Sequence, residues 1–90
     1  MTIHVTNCSG GTAIGLALVT DIYGDQQYTD SFGNIQVTPG YEGALYGTVI
    51  SISASGFYTI EPTLTSYGVN NFCLSPVPAT GTGTGTGGLY

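Results

Sequence analysis

The chain is 90 residues long, with five acidic side chains, no Lys or Arg and a formal net charge of −5. That length makes one small domain, and the missing cations argue against nucleic-acid binding and against attraction to anionic membranes. A hydrophobic content of 41% admits a core, while 15 glycines and 7 tyrosines among many Thr, Val and Ile residues favour short strands and turns over helices.

Residues 2–7 alternate, so Ile3 and Val5 are expected inward and Thr2, His4 and Thr6 outward. MTIHVT carries no positive leader region, and no long apolar stretch follows, so neither a signal peptide nor membrane insertion is expected. Residues 8–12 read as a turn; Asn7–Cys8–Ser9 formally matches a glycosylation acceptor but is read as turn chemistry. Ala13–Asp21 is the next expected strand, with Leu16 and Leu18 on one face and Ala17 and Val19 on the other. Tyr23 and Tyr28 flank a polar turn at 24–27, which reads as a short hairpin or a wandering edge.

The stretch Thr29–Val37, TDSFGNIQV, then reads as a tight turn feeding a strand. Asp30 and Ser31 can bond the nearby backbone, Gly33 suits positive φ, and Pro39–Gly40 ends the strand. Residues 41–44 are expected as a loop and Leu45–Ala54 as the longest β run, with Ile50 and Ile52 on its core face. Further strands are expected at 57–60, 63–66 and 69–74, with Pro62 at an edge or break and Phe72 and Leu74 in the core. Pro76 and Pro78 close a domain of residues 1–78. Residues 79–90 make a Gly/Thr-rich tail, which serves either as a mobile spacer or as an extended docking arm. As an arm, Thr82, Thr84 and Thr86 share one face and Leu89 and Tyr90 fill a pocket, so these five are candidate interface residues.

Cys8 and Cys73 lie near opposite ends of the folded part. Paired, they close nearly the whole domain and contribute roughly 4 kcal/mol on the loop-entropy account. Unpaired, they pack as two small buried thiols. With one histidine they make a poor zinc set. His4 is the side chain suited to acid–base work near neutrality. A hydrolase reading needs Ser9 or Ser66 beside it, and no nucleophile motif supports that. Asp21, Asp25 and Asp30 are a calcium set only if they converge; solvated turn aspartates are the commoner case. No catalytic residue, metal site or cofactor is assigned.

Three segments occur in a suggestive order: Gly15–Leu16–Ala17–Leu18, Thr29–Asp30–Ser31–Phe32–Gly33–Asn34–Ile35, and Ser53–Ala54–Ser55–Gly56–Phe57–Tyr58. They resemble the Gly-x-x-Val, Thr-Asp-x-x-Gly-x-Phe and Ser-Ala-x-Gly-Tyr segments of carboxypeptidase regulatory-like domains. Leu18, Ile35 and Phe57 replace the usual Val, Phe and Tyr and keep the apolar character. The resemblance spans residues 2–75 and implies an all-β, transthyretin-like Greek-key β-sandwich of about seven strands. It also implies an accessory module on enzymes, surface proteins, receptors or virus particles, and so no activity in itself.

The combined expectation is a non-enzymatic structural or assembly module, extracellular or on a virion surface. It associates with itself or with another structural protein, as a decoration protein or filament subunit does. The alternative is a carbohydrate- or cell-surface-binding module, with exposed tyrosines stacking on sugar rings.

Overall fold

A computed structural model describes residues 1–78. The alternating segment at the start becomes β1 (Thr2–Asn7), which buries Ile3 and Val5 and leaves Thr2, His4 and Thr6 half-buried. It is the centre of a three-stranded sheet, between β4 (Asn34–Gln36) and β6 (Val69–Leu74). β4 is antiparallel to β1, with Ile3 opposite Ile35. β6 is parallel to β1, from Thr2 opposite Val69 to Asn7 opposite Leu74. The second sheet has β2 (Leu18–Thr20) between β3 (Gln26–Tyr28) and β5 (Ser51–Ser53), both antiparallel to it. Side chains of both sheets meet in one core: Ile3, Val5, Ile35 and Leu74 from the first, Val19 and Ile52 from the second. Full burial of such side chains contributes about 1.5–3 kcal/mol each.

Several expected strands are shorter. The region 13–21 keeps only β2 and an isolated bridge from Ala13 to Thr6. Ala17 and Val19 form its buried face, whereas Leu16 stands in solvent. Leu45 does not begin a strand. Tyr41–Ala44, expected as a loop, supplies most of a single helical turn, α1 (Glu42–Leu45), anchored by buried Leu45. Thr48 closes its end by donating from both N and Oγ1 to the Leu45 carbonyl. Ile50 and Ile52 are buried as expected. The expected strands at 57–60 and 63–66 are isolated bridges only. Pro62 lacks a donor, so this segment pairs irregularly with β5: Ile52 and Ile60 exchange backbone bonds and Ile50 donates to the Pro62 carbonyl. Six strands result among the described residues, against an expectation of about seven. Leu74 is fully buried and Phe72 half-buried against the core.

Two buried polar side chains tie irregular segments to the sheets. The Thr29 hydroxyl accepts from Ala17 N at 2.9 Å and donates to the Ile14 carbonyl at 2.7 Å, fixing the crossover from one sheet to the other. Asn70 Oδ1 accepts from Thr65 and Ser66 N while its Nδ2 donates back to the Ser66 carbonyl, shaping the approach to β6. Each is satisfied, as a buried polar group must be to avoid a desolvation penalty of about 1–3 kcal/mol.

Cys8 and Cys73 form a disulfide, with a Cα–Cα distance of 4.9 Å. The parallel register places Cys73 opposite Thr6, and Cys8 N donates to the Leu74 carbonyl just beyond β1. Both cysteines are exposed, so the alternative of two buried thiols is overturned.

Candidate functional site

The strand directions give the domain two unlike ends. β2 and β4 both start at one end, where β1 and β6 finish; they run toward the other end, where β1 and β6 begin. At this second end a cleft of about 530 Å³ opens between the two sheets. Its floor is apolar core: Ile3, Val19, Ile35, Val37, Leu45 and Ile50. One wall is the β2–β3 turn with Asp21, Tyr23, Asp25 and Gln26; the other is Tyr41 and Ala44 at α1. The Tyr23 hydroxyl donates to the Ala44 carbonyl at 3.3 Å and joins the walls. Glu42 of α1 pairs with the Met1 amino group, and Glu61 borders a shallow depression with Thr20 and Asp21. Four of the five carboxylates therefore lie at the cleft end: Asp21, Asp25, Glu42 and Glu61.

The opposite end carries the fifth, Asp30, and it is spoken for. Its Oδ1 accepts from Phe32 N at 2.9 Å and Asn34 N at 3.0 Å. The turn it closes projects Phe32, 72% exposed. Beside it, Leu16 donates from N to the Thr29 carbonyl, and Gly15 packs on the Asp30–Ser31 backbone. Leu16 has φ 61°, the one non-glycine with positive φ among the described residues, and is 77% exposed. This left-handed conformation costs a residue with a Cβ about 1–2 kcal/mol. Two apolar side chains thus protrude at this tip end, beside the exposed Asp30 carboxylate.

The residues singled out in the sequence are scattered between these ends. His4 Nδ1 lies 2.6 Å from Asn34 Oδ1 and donates to it; Ser66 Oγ accepts from Gly68 N, and Ser9 N donates to Asn7. No hydrogen bond joins His4 to either serine among the described residues. Asp21, Asp25 and Asp30 do not converge: Asp21 Oδ1 accepts from Tyr23 N and Asp25 N in its own turn, at the other end from Asp30. Tyr23, Tyr28, Tyr41, Tyr46, Tyr58 and Tyr67 are all exposed. Two of them, Tyr46 and Tyr67, stack with ring centroids 4.5 Å apart and planes within 3°. Thr82, Thr84, Thr86, Leu89 and Tyr90 lie outside the described residues.

Sequence reasoning missed the cleft, the strain at Leu16 and the pairing of Tyr23 with the α1 wall. One signal was available. Asp21–Ile22–Tyr23–Gly24–Asp25 repeats the pattern of Asp30–Ser31–Phe32–Gly33–Asn34, namely Asp, any residue, aromatic, Gly, then Asp or Asn. The repeat predicts two equivalent turns with an aromatic displayed on each. No protein-family model matches the chain, and no curated protein is significantly similar to it.

Proposed function

We propose that this chain is a non-enzymatic structural or assembly module, working outside the cell or on a virion surface as a decoration protein or filament subunit does. The observation that carries the reading is Leu16. A stability requirement alone selects Gly or Asn at φ 61°, and an apolar side chain left 77% exposed there gains nothing from the core. Such strain is accounted for when a partner covers the side chain. The exposed Cys8–Cys73 bond supports a location in oxidising surroundings. The finer architecture we propose for the two sheets is a Greek-key sandwich of the transthyretin-like kind. Sedimentation velocity of the full chain over a hundredfold concentration range tests the reading. A weight-average mass that rises with concentration is expected; a monomer throughout overturns self-assembly.

A carbohydrate-binding role is the second reading, favoured by the cleft mouth. Tyr23 and Tyr41 offer faces for sugar rings, and Asp21, Asp25, Gln26 and Gln27 offer hydroxyl partners. Specific signal on a glycan array, lost in Tyr41→Ala, is the outcome expected of that role. An array without signal removes it.

A further inference from the structure

We infer that copies of this chain join by strand addition, with residues 80–86 of one copy pairing along the outer edge of β6 in the next. This rests on the assembly reading above and names the contact that makes it. The register exposes the edge. Thr2 N donates to the Gly68 carbonyl and Cys8 N to the Leu74 carbonyl, with Thr2 opposite Val69 and Thr6 opposite Cys73. In a parallel ladder this turns the N–H and C=O of Asn70, Phe72 and Leu74 toward β1, and those of Val69, Asn71 and Cys73 away from it. Among the described residues no backbone group pairs with these outward donors and acceptors, and all three residues are exposed. The other sheet edges are short or closed. β3 and β4 have three residues each, and Asp30 takes both the N–H and the C=O of Asn34. β5 exchanges backbone bonds with Ile60 on its outer side. β6 is six residues long and carries no Pro and no charged side chain, the usual devices that keep an edge from pairing.

Residues 80–86, TGTGTGT, suit that edge. Their period of two places Thr on one face of an extended strand and Gly on the other. Beside β6, the Thr face lies with the exposed side chains of Val69, Asn71 and Cys73, and the Gly face lies on the side of buried Asn70 and Leu74. On that inner side the chain passes from Tyr58, whose N donates to the Ser75 carbonyl, to Thr65, whose N donates to Asn70 Oδ1. Positions without a side chain are the ones that fit against it. Seven residues span about 23 Å, enough to cover residues 69–73. Neither strand has a charged side chain, and main-chain bonds need none. The donor is a second copy because the direct return within one chain is closed. Just past β6, Val77 N donates to the Gly56 carbonyl and Tyr58 N to the Ser75 carbonyl, so residues 56–58 already occupy the edge along which the chain after Pro78 would turn back. A segment arriving from outside meets no such block along residues 69–73. Donor segment and acceptor edge are different surfaces, so the contact is heterologous and repeats into a ring or a filament.

The test uses three forms of the full oxidised chain in sedimentation velocity and amide exchange, in about 0.15 M NaCl to screen carboxylate repulsion between copies. Thr82→Pro/Gly85→Pro spoils the donor segment and leaves residues 1–78 untouched. Asn71→Pro removes an outward N–H from the acceptor edge, at a position that donates nothing to β1, and circular dichroism checks its fold. Each is expected to self-associate at least about tenfold more weakly than the parent chain. Mixed, they are expected to form a one-to-one dimer and nothing larger, since one supplies the only sound donor and the other the only sound edge. In the assembled parent, the amides of Val69, Asn71 and Cys73 are expected to exchange at least about tenfold more slowly than in Thr82→Pro/Gly85→Pro, a readout that stands even if Asn71→Pro fails to fold. A parent that assembles with those three amides unprotected, or that assembles equally well with the donor segment spoiled, overturns the strand addition and leaves the assembly reading standing. A monomeric parent with the three amides protected overturns the exchange between copies and assigns the edge to the chain's own segment. A monomeric parent with them unprotected overturns both the contact and self-assembly.

Discussion

The turns at Asp21–Asp25 and Asp30–Asn34 are the same object in two settings. In each, the aspartate Oδ1 accepts from the backbone N of the second and fourth residues after it. In each, the glycine N donates to the aspartate carbonyl at 3.0 Å, and the aspartate N donates to the carbonyl of the fifth residue at 3.0 Å. The glycines have φ 85° and 77°. Local chemistry is matched bond for bond, and the surroundings are not. Nothing lies within 4 Å of a Cβ placed on Gly24, whereas one on Gly33 would meet the Val5 carbonyl oxygen at 2.4 Å. That carbonyl accepts from Ile14 N, and Val5 N donates to the Gly33 carbonyl. The first turn is a free hairpin tip forming a cleft wall; the second is wedged into the joint between β1, β4 and the crossover. Identical short-range bonds therefore specify a shape, and the neighbours decide whether that shape is structural or available for contact.

Paired substitutions test how far this contrast goes. Gly33→Ala combines backbone strain with a backbone clash and is expected to cost on the order of 3–4 kcal/mol or to prevent folding. Gly24→Ala carries the strain alone and is expected to cost about 1–2 kcal/mol. Urea denaturation of the oxidised proteins measures both, and equal losses would mean that the joint yields where the geometry says it is rigid. Smaller effects are expected from the aspartates. Asp30→Ala removes two backbone hydrogen bonds at a site coupled to β1 and is expected to lower global stability by about 1–2 kcal/mol. Asp21→Ala removes the same two bonds at a tip, so its effect should be mainly local. Amide exchange reads the difference. Faster exchange confined to residues 21–28 in the second variant supports the contrast, and acceleration spread over β1 and β4 in both abolishes it.

What was legible in the sequence was whatever two-residue periodicity or turn chemistry controls alone. Ile3 and Val5, Ile50 and Ile52, and the Asp30 turn fall in this class, because each is fixed by neighbours in the chain. The extent of the strands was less legible. LYGTVISISA has the composition of one long strand, yet the requirement to bury Leu45 winds its start into α1 and leaves only Ser51–Ser53 laddered. Leu16 departs from the alternation for a related reason. Alternation assigned it a strand face, but the backbone turns at Gly15–Leu16 to bring Ala17 N to the Thr29 hydroxyl. The cleft was out of reach, since its lining comes from residues 3 to 50 and depends on how two sheets diverge. Spacing alone leaves the cysteine pairing open, because it does not reveal that β1 and β6 are parallel neighbours.

That parallel pairing also determines how the domain carries load. Tension along the strands, entering β1 at the cleft end and leaving β6 at the tip end, acts on the ladder in shear. All six register pairs from Thr2–Val69 to Asn7–Leu74 resist together instead of opening one after another. The Cys8–Cys73 bond bridges the same two strands at the tip end. The chain between the cysteines, a separation of 65, is a closed ring whose slack of roughly 230 Å, at about 3.5 Å per residue, never enters the tensile path while the bond is intact. Oxidised, the domain is a short link that does not stretch; reduced, the same residues become a long extensible one.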